Sequence, residues 1–238
     1  MHGLDALTDA DAGTAMFFRR QQETGSEFLP LHQHRVVAIS VALRTGGTFR
    51  VWSLGEQDAD EAEIVRRFFD GIERYAPDLV SWNGSGFDLP VLHYRALKHG
   101  IQAPRYWELG DNERDYRYNN YLSRFHWRHI DLMDVLAGFQ HRGRASLDEM
   151  ATMLGFPGKL GMSGDKVWQC WLDGGIGDIR DYCETDVLNT YLVFLRFEFM
   201  RGNLDRQGLE REVSLVRSTL EEADRPHFRE FLAAWPPG

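Results

Sequence analysis

The chain has 238 residues, is 43% hydrophobic and 26% charged, and carries a formal net charge of −9. This is long and apolar enough for a domain with a sizeable core, and it excludes a disordered or low-complexity chain. The acidic balance argues against a broad surface that coats nucleic acid.

No apolar run approaches the roughly 20 residues of a membrane-spanning helix. The opening MHGLDALTDADAG is acidic and lacks the apolar core of a secretory signal. Asp5, Asp9 and Asp11 within it read as solvated acids at a helix start. Cys170 and Cys183 are the only cysteines and form no Cys-x-x-Cys pair, so a structural zinc site is not expected and a cytoplasmic protein with free thiols is.

Residues 8–22 predict a helix capped by Thr8 or Asp9. HRVVAISVALR (34–44) predicts a strand; Gly46-Gly47 turns the chain, and TFRVWSLG (48–55) returns as a hairpin. Residues 58–75 predict an amphipathic helix with Ile64, Val65, Phe68, Phe69 and Ile72 on one side. DLVSW (78–82) reads as a short buried strand, and FDLPVLHYRALKHG (87–100) as a helix with Pro90 in its first turn. HIDLMDVL (129–136) reads as strand then helix. SLDEMATMLG (146–155) carries a full helix signature: Ser146 as cap, Glu149 completing a capping box and Gly155 as stop. Residues 164–173, 176–202 and 207–235 read as helical. The order implies an α/β fold, its sheet antiparallel at one edge and parallel at the centre.

Two stretches carry the chemistry. Asn83-Gly-Ser-Gly-Phe87-Asp88 places a carboxylate just past a strand end, where α/β sheets bind ligands. Tyr182-Cys-Glu-Thr-Asp186 places a tyrosine and an acid four residues apart on one helix face. That face also carries Ile179, Asn189, Thr190 and Val193, and an acid among apolar neighbours must be paired, protonated or metal-bound. Each stretch has a plain structural reading too. Asp88 suits a helix cap, and Tyr182 and Asp186 suit a core tyrosine beside a solvated acid.

Asn83-xxx-Phe87-Asp88 resembles the second exonuclease motif of family B DNA polymerases, and Tyr182-xxx-Asp186 resembles the tyrosine form of the third. HIDLMDVL and SLDEMATMLGFPGK between them resemble the connecting segment of those domains. TGSEFLPLHQHRVVAISVALR and YCETDVLNTYLVFLRF are similar to the stand-alone PolB-like predicted 3'-5' exonucleases of bacteria. The resemblance runs from about Thr8 to Arg201, and the ordered set is far more specific than a single Tyr-xxx-Asp.

The resemblance implies a ribonuclease H-like mixed sheet flanked by helices, of the DnaQ-like superfamily. It implies one 3'-5' exonuclease-like domain over 1–238, with 202–238 as a C-terminal helical extension. Such enzymes gather four acids and a tyrosine around two divalent cations, Mg²⁺ or Mn²⁺, and hydrolyse phosphodiesters at single-stranded DNA 3' ends, RNA being a further substrate. On this match Asp88 and Asp186 are metal ligands, Tyr182 orients the attacking water, and Asn83, Gly84 and Phe87 lie against the terminal nucleotides.

The family's first motif, Asp-x-Glu on a central strand, is missing. QQETG (21–25) echoes it, but Gln21 stands in place of the aspartate and MFFRRQQ reads as helix, so Glu23 is not expected at the site. The expectation is that the first, central strand is absent from this chain and that the natural protein begins upstream of Met1. A catalytically incomplete nucleic-acid-binding module of the same fold is the alternative reading.

Weaker features remain. Residues 105–129 interleave Arg114, Arg117, Arg124 and Arg128 with Tyr116, Tyr118, Tyr121, Phe125 and Trp127, a pattern equally suited to stacking on bases or to packing on a sheet edge. HRGRAS (141–146) reads as a solvated loop. The resemblance places Asp131 on a strand near the site without a catalytic role, and neither Asp131 nor Asp134 is counted as a metal ligand.

Overall fold

A computed structural model describes residues 7–236; Asp5 lies outside them. Helix α1 (Asp9–Thr24) starts at Thr8, whose side chain accepts from the Asp11 amide, and stops at Gly25. It packs on Trp168: Phe17 meets that ring edge-on at 5.6 Å, and a Cβ on Gly13 would lie 2.3 Å from it.

Strands β1 (Ser40–Thr45) and β2 (Thr48–Ser53) form the expected hairpin, with Thr45 opposite Thr48. The strand expected over 34–44 is shorter than its composition suggests. Its ladder ends where Ser40 faces Ser53, and the Val36 amide donates to the Glu61 carboxylate (2.8 Å) instead of a strand. Burial alone would raise the Glu61 pKa. Arg95, His99 and that amide overcome it and bring the group down to about 2.

Helix α2 (Glu61–Tyr75) is capped by Asp60 and buries Ile64, Val65, Phe69 and Ile72, the predicted face. It packs with α3 (Asp88–His99) and with Tyr106, Tyr116 and Tyr121 in one cluster. The aromatic stretch therefore splits: these three tyrosines are core, whereas Tyr118, Phe125 and Trp127 are exposed. Strands β3 (Leu79–Ser81) and β4 (His129–Asp131) pair in parallel, Ser81 opposite Asp131, so both point their C-terminal ends at one place.

The rest is helical: α4 (Leu132–Leu136), α5 (Leu147–Met153) with the expected capping box, α6 (Val167–Leu172) and α7 (Ile176–Met200). The expected helical run 207–235 is two helices, α8 (Arg206–Ala223) and α9 (Pro226–Ala234). Asp224 turns left-handed at φ 46°, and Pro226, lacking an N–H, begins a new first turn.

The sheet corrects the sequence reading. Among the described residues there is no continuous mixed sheet but two separate two-stranded ones, β1–β2 antiparallel and β3–β4 parallel. No described strand pairs the remaining edge of β1 or β3, and neither strand is fully buried, as a central strand would be. Helix α7 packs across β1, β2 and β3. The main core gathers Phe49, Ile130, Leu188, Leu192, Leu220 and Phe231. No described helix is long and apolar enough to cross a membrane, and Cys170 and Cys183 are free thiols.

Candidate active site

Beyond Ser81 the chain makes a tight loop before α3. Asn83 adopts φ 62°, a left-handed conformation asparagine tolerates. Its carbonyl accepts from the Gly86 and Phe87 amides at 3.1 and 3.0 Å. The buried Asp131 carboxylate, at the end of β4, accepts from the Asn83 amide (2.9 Å) and the Ser85 amide (2.8 Å). Asp131 thus holds the loop, as a neighbour of the site rather than a spare ligand.

Gly84 is required by contact. A Cβ there would lie 2.3 Å from Ser81 Oγ, which shares a 2.8 Å hydrogen bond with His129 Nε2. Gly84→Ala is expected to cost about 1–3 kcal/mol as an overpacking change, read as a lower melting temperature. An unchanged melt would mean that Ser81 yields freely.

Asp88 is not the helix cap. Phe87 occupies that position without a side-chain bond, and Asp88 is the first residue of α3. Its side chain keeps contact with water, yet it stands in a protein-lined mouth beside two other acids. Desolvation, then Asp131 and Asp186, push its pKa up to about 6. Water at the mouth offsets part of that push.

Asp186 and Tyr182 reach this place from α7. Burial raises the Asp186 pKa against the lowering effects of the Tyr182 hydroxyl and Lys159. Burial and Asp186 hold the Tyr182 hydroxyl protonated well above the usual tyrosine range. The Cys183 thiol is pushed up to about 12 by burial and then by Asp186 and Asp88, which disfavours the thiolate. Asp88, Tyr182 and Asp186 therefore converge, with Asn83, Gly84 and Phe87 in the loop that carries Asp88.

Several neighbours carry no signal in the sequence. Phe28, 57% exposed, and His34 ring Phe87 at centroid distances of 5.8 and 5.2 Å. Lys159 follows a glycine pinned to α7: Asn189 accepts from the Gly158 amide and donates to its carbonyl. Asp148 accepts from the Lys159 amide at 2.8 Å. Glu23, the imperfect echo of the first motif, is exposed on α1 with its carboxylate on Arg19 at 2.7 Å.

A second group of potential ligands lies on the opposite face of α7, since Asp181 and Glu184 point roughly half a turn away from Tyr182 and Asp186. Asp181, Glu184 and His227 bring ligand atoms within 4.8 Å of one another. Arg225 already fills the cation's role there, at 2.6 Å from Glu184 and 3.0 Å from Asp181. Burial would raise the Glu184 pKa, but bonds from His227, Ser53 and Arg225 hold it below the usual range. His227 Nδ1 is 3.2 Å from Asp181 but not aligned as a hydrogen bond. The group reads as an ion-pair anchor tying α9 to α7 and β2.

Two carboxylates, one beyond a strand end and one on a helix laid across the strands, define an acid-lined site at the C-terminal mouth of an α/β protein. The chain belongs to the family of predicted 3'-5' exonucleases related to the exonuclease domain of PolB, whose model matches residues 26–235. The family is one of nucleases, hydrolases of phosphodiester bonds. A stretch of 78 residues is 37% identical to DNA polymerase 1 of Sulfurisphaera ohwakuensis, a match taking in 26% of this chain and 9% of the polymerase. The chain corresponds to a small part of that relative.

Proposed function

We propose that this chain is a metal-dependent 3'-5' exonuclease that removes nucleotides from single-stranded DNA 3' ends, RNA ends being a further substrate. The observation that supports the reading is that Asp88 and Asp186, distant in sequence, lie within electrostatic reach of one another, with the Tyr182 hydroxyl bonded to Asp186.

Two carboxylates gathered against their own repulsion are the donor chemistry of a hard divalent cation. Asp88 and Asp186 would hold Mg²⁺ or Mn²⁺, two ions being expected for the family. When bound, such ions lower the pKa of a water and offset charge on the leaving 3'-oxygen. The Tyr182 hydroxyl, kept protonated, orients the attacking water rather than acting as base. Asn83 and Gly84 bring the loop against the terminal nucleotide, and Phe87 stacks on its base. Lys159 supplies positive charge near Asp186 for the phosphodiester.

Phe28, tilted against Phe87 at 5.8 Å, widens the aromatic wall beside that base. Stacking is worth about 1–3 kcal/mol per base, so Phe28→Ala is expected to weaken binding of a short 3' end roughly tenfold with little change in kcat. Unchanged KM would remove Phe28 from the substrate path.

A second reading rests on the strands. None of β1 to β4 carries Asp-x-Glu, and the free edges of β1 and β3 support the idea that a central strand belongs between them. On that reading the chain holds strand ends without cutting them. The test is a 5'-labelled linear single strand and a closed circle in Mn²⁺. Stepwise shortening of the line with the circle intact supports the exonuclease. An intact line supports the binding module, and a cut circle contradicts both.

A further inference from the structure

The arginine–aromatic surface at the other end of the strands is not used by the site. From Tyr116 to Arg128 there are three arginines and no Asp or Glu; from Val135 to Ser146 there are two arginines and again no acid. In a chain of net charge −9 this is a local reversal of sign. Phe125 and Trp127 are 69% and 45% exposed. Arg124 lies over Phe125 at 4.9 Å and over Phe139 at 5.1 Å, and Arg201 over Trp127 at 3.9 Å.

These rings are displayed by a pinned loop. Asn120 Oδ1 accepts from the Leu122 and Ser123 amides, and Asn119 Oδ1 accepts from the Trp127 amide at 2.9 Å. Arg128 donates to the carbonyls of Asn119 and Ala76. A loop this firmly bonded that still exposes two rings, each backed by an arginine, presents a ready surface.

We propose that this surface binds the single-stranded DNA substrate several nucleotides upstream of its 3' end, rings stacking on bases and arginines meeting phosphates. The proposal rests on the exonuclease reading of the Asp88–Asp186 site. Charge complementarity selects the partner: Arg144 is paired with Asp134 at 2.6 Å and Arg128 is bonded to carbonyls, which leaves Arg117, Arg124 and Arg142 to match a phosphate chain.

The placement sets the length of the bridge. The Leu79 amide bonds the Arg128 carbonyl at the start of the parallel pair, whereas Asp131 ends it, so the surface and the site lie at opposite ends of β3 and β4. Along α7, the 15 residues from Asp186 to Arg201 rise about 22 Å. At the rise of about 3.4 Å per nucleotide of a stacked strand that is roughly six or seven nucleotides, and fewer for an extended single strand. A strand shorter than this reaches the site alone.

The test compares oligothymidylates of four and twenty nucleotides, labelled at the 5' end, by fluorescence anisotropy in EDTA, where nothing is cut. Nucleotide release in Mn²⁺ is measured beside it. Arg124→Ala/Phe125→Ala, both at the surface, is expected to weaken binding of the 20-mer about tenfold or more while leaving the 4-mer and its hydrolysis as in the parent. If the variant binds the 20-mer as the parent does, the proposal is overturned, including in favour of a protein partner on this surface. If it weakens the 4-mer equally, the surface is not a separate upstream contact and the proposal also fails. Loss of the exonuclease reading would appear differently, as no release from either length by the parent.

Discussion

Asp88→Asn is expected to abolish Mn²⁺-dependent hydrolysis and, at the same time, to raise the melting temperature of the metal-free protein at neutral pH. The two effects share one cause. The Asp88 pKa is pushed up to about 6 in the folded protein, by desolvation and then by Asp131 and Asp186, while in the unfolded chain it lies near 3.9. Between these values the native state binds more protons than the unfolded state, so stability falls as pH rises through the window. The penalty is complete above about 6 and absent below the unfolded value. Asparagine removes it, so the variant should melt higher than the parent at pH 7.5 and alike near pH 4. Because Asp88 is open to water, the gain should be modest.

The same carboxylate must be ionised to hold a cation. Hydrolysis should therefore climb with pH through about 6 and level off above it, provided the substrate shows no ionisation there. Added Mn²⁺ should raise the melting temperature of the parent and not of the variant. The loss of activity should be about a thousandfold or more, on the order of 4 kcal/mol in the barrier. A variant that melts lower at neutral pH, or a parent whose melt ignores Mn²⁺, would contradict the account.

Asp131→Ala should produce the largest loss of stability among changes around the site, without touching a proposed metal ligand. The Asp131 carboxylate accepts from two amides of the 83–85 loop and is 5% exposed. Alanine strands both amides, at about 1–3 kcal/mol each where water cannot replace the partner. A total of about 2–5 kcal/mol corresponds to a fall of roughly 4–20 °C for a chain this size. Asn83 and Gly84 would lose their anchor, so activity should fall even where the variant is fully folded. Asp131→Asn keeps an acceptor oxygen and should recover part of the stability. Equal melts for parent and alanine variant would mean that the loop is held by its own turn bonds alone.

The parts of this molecule governed by local chemistry are legible in the sequence. The caps at Thr8 and Ser146, the Gly46-Gly47 hairpin and the apolar face of α2 each follow from a few neighbouring residues. The convergence of Asp88 with Asp186 is legible only through resemblance, since no periodicity links residues so far apart. What stays hidden is tertiary. Phe28 looks like an ordinary loop residue until the chain lays it against Phe87. Lys159 gains its place through Asn189, whose two bonds to Gly158 leave no mark on either segment. Asp131 was legible as a neighbour of the site, but its bonds to the loop amides were not. The sheet is legible in part: an antiparallel pair and a parallel pair form where the residues favour strands, but favouring a strand does not supply a partner, and the two ladders stay separate.

Asp88 and Asp186 are proposed as a cation-dependent hydrolytic pair. The most direct test is release of the terminal nucleotide from a 3'-labelled single strand in Mn²⁺, parent beside Asp186→Asn. The expected result is release by the parent, its arrest by EDTA, and loss in the variant although the variant still folds. Release that persists in Asp186→Asn would contradict it, because the chemistry would then lie elsewhere.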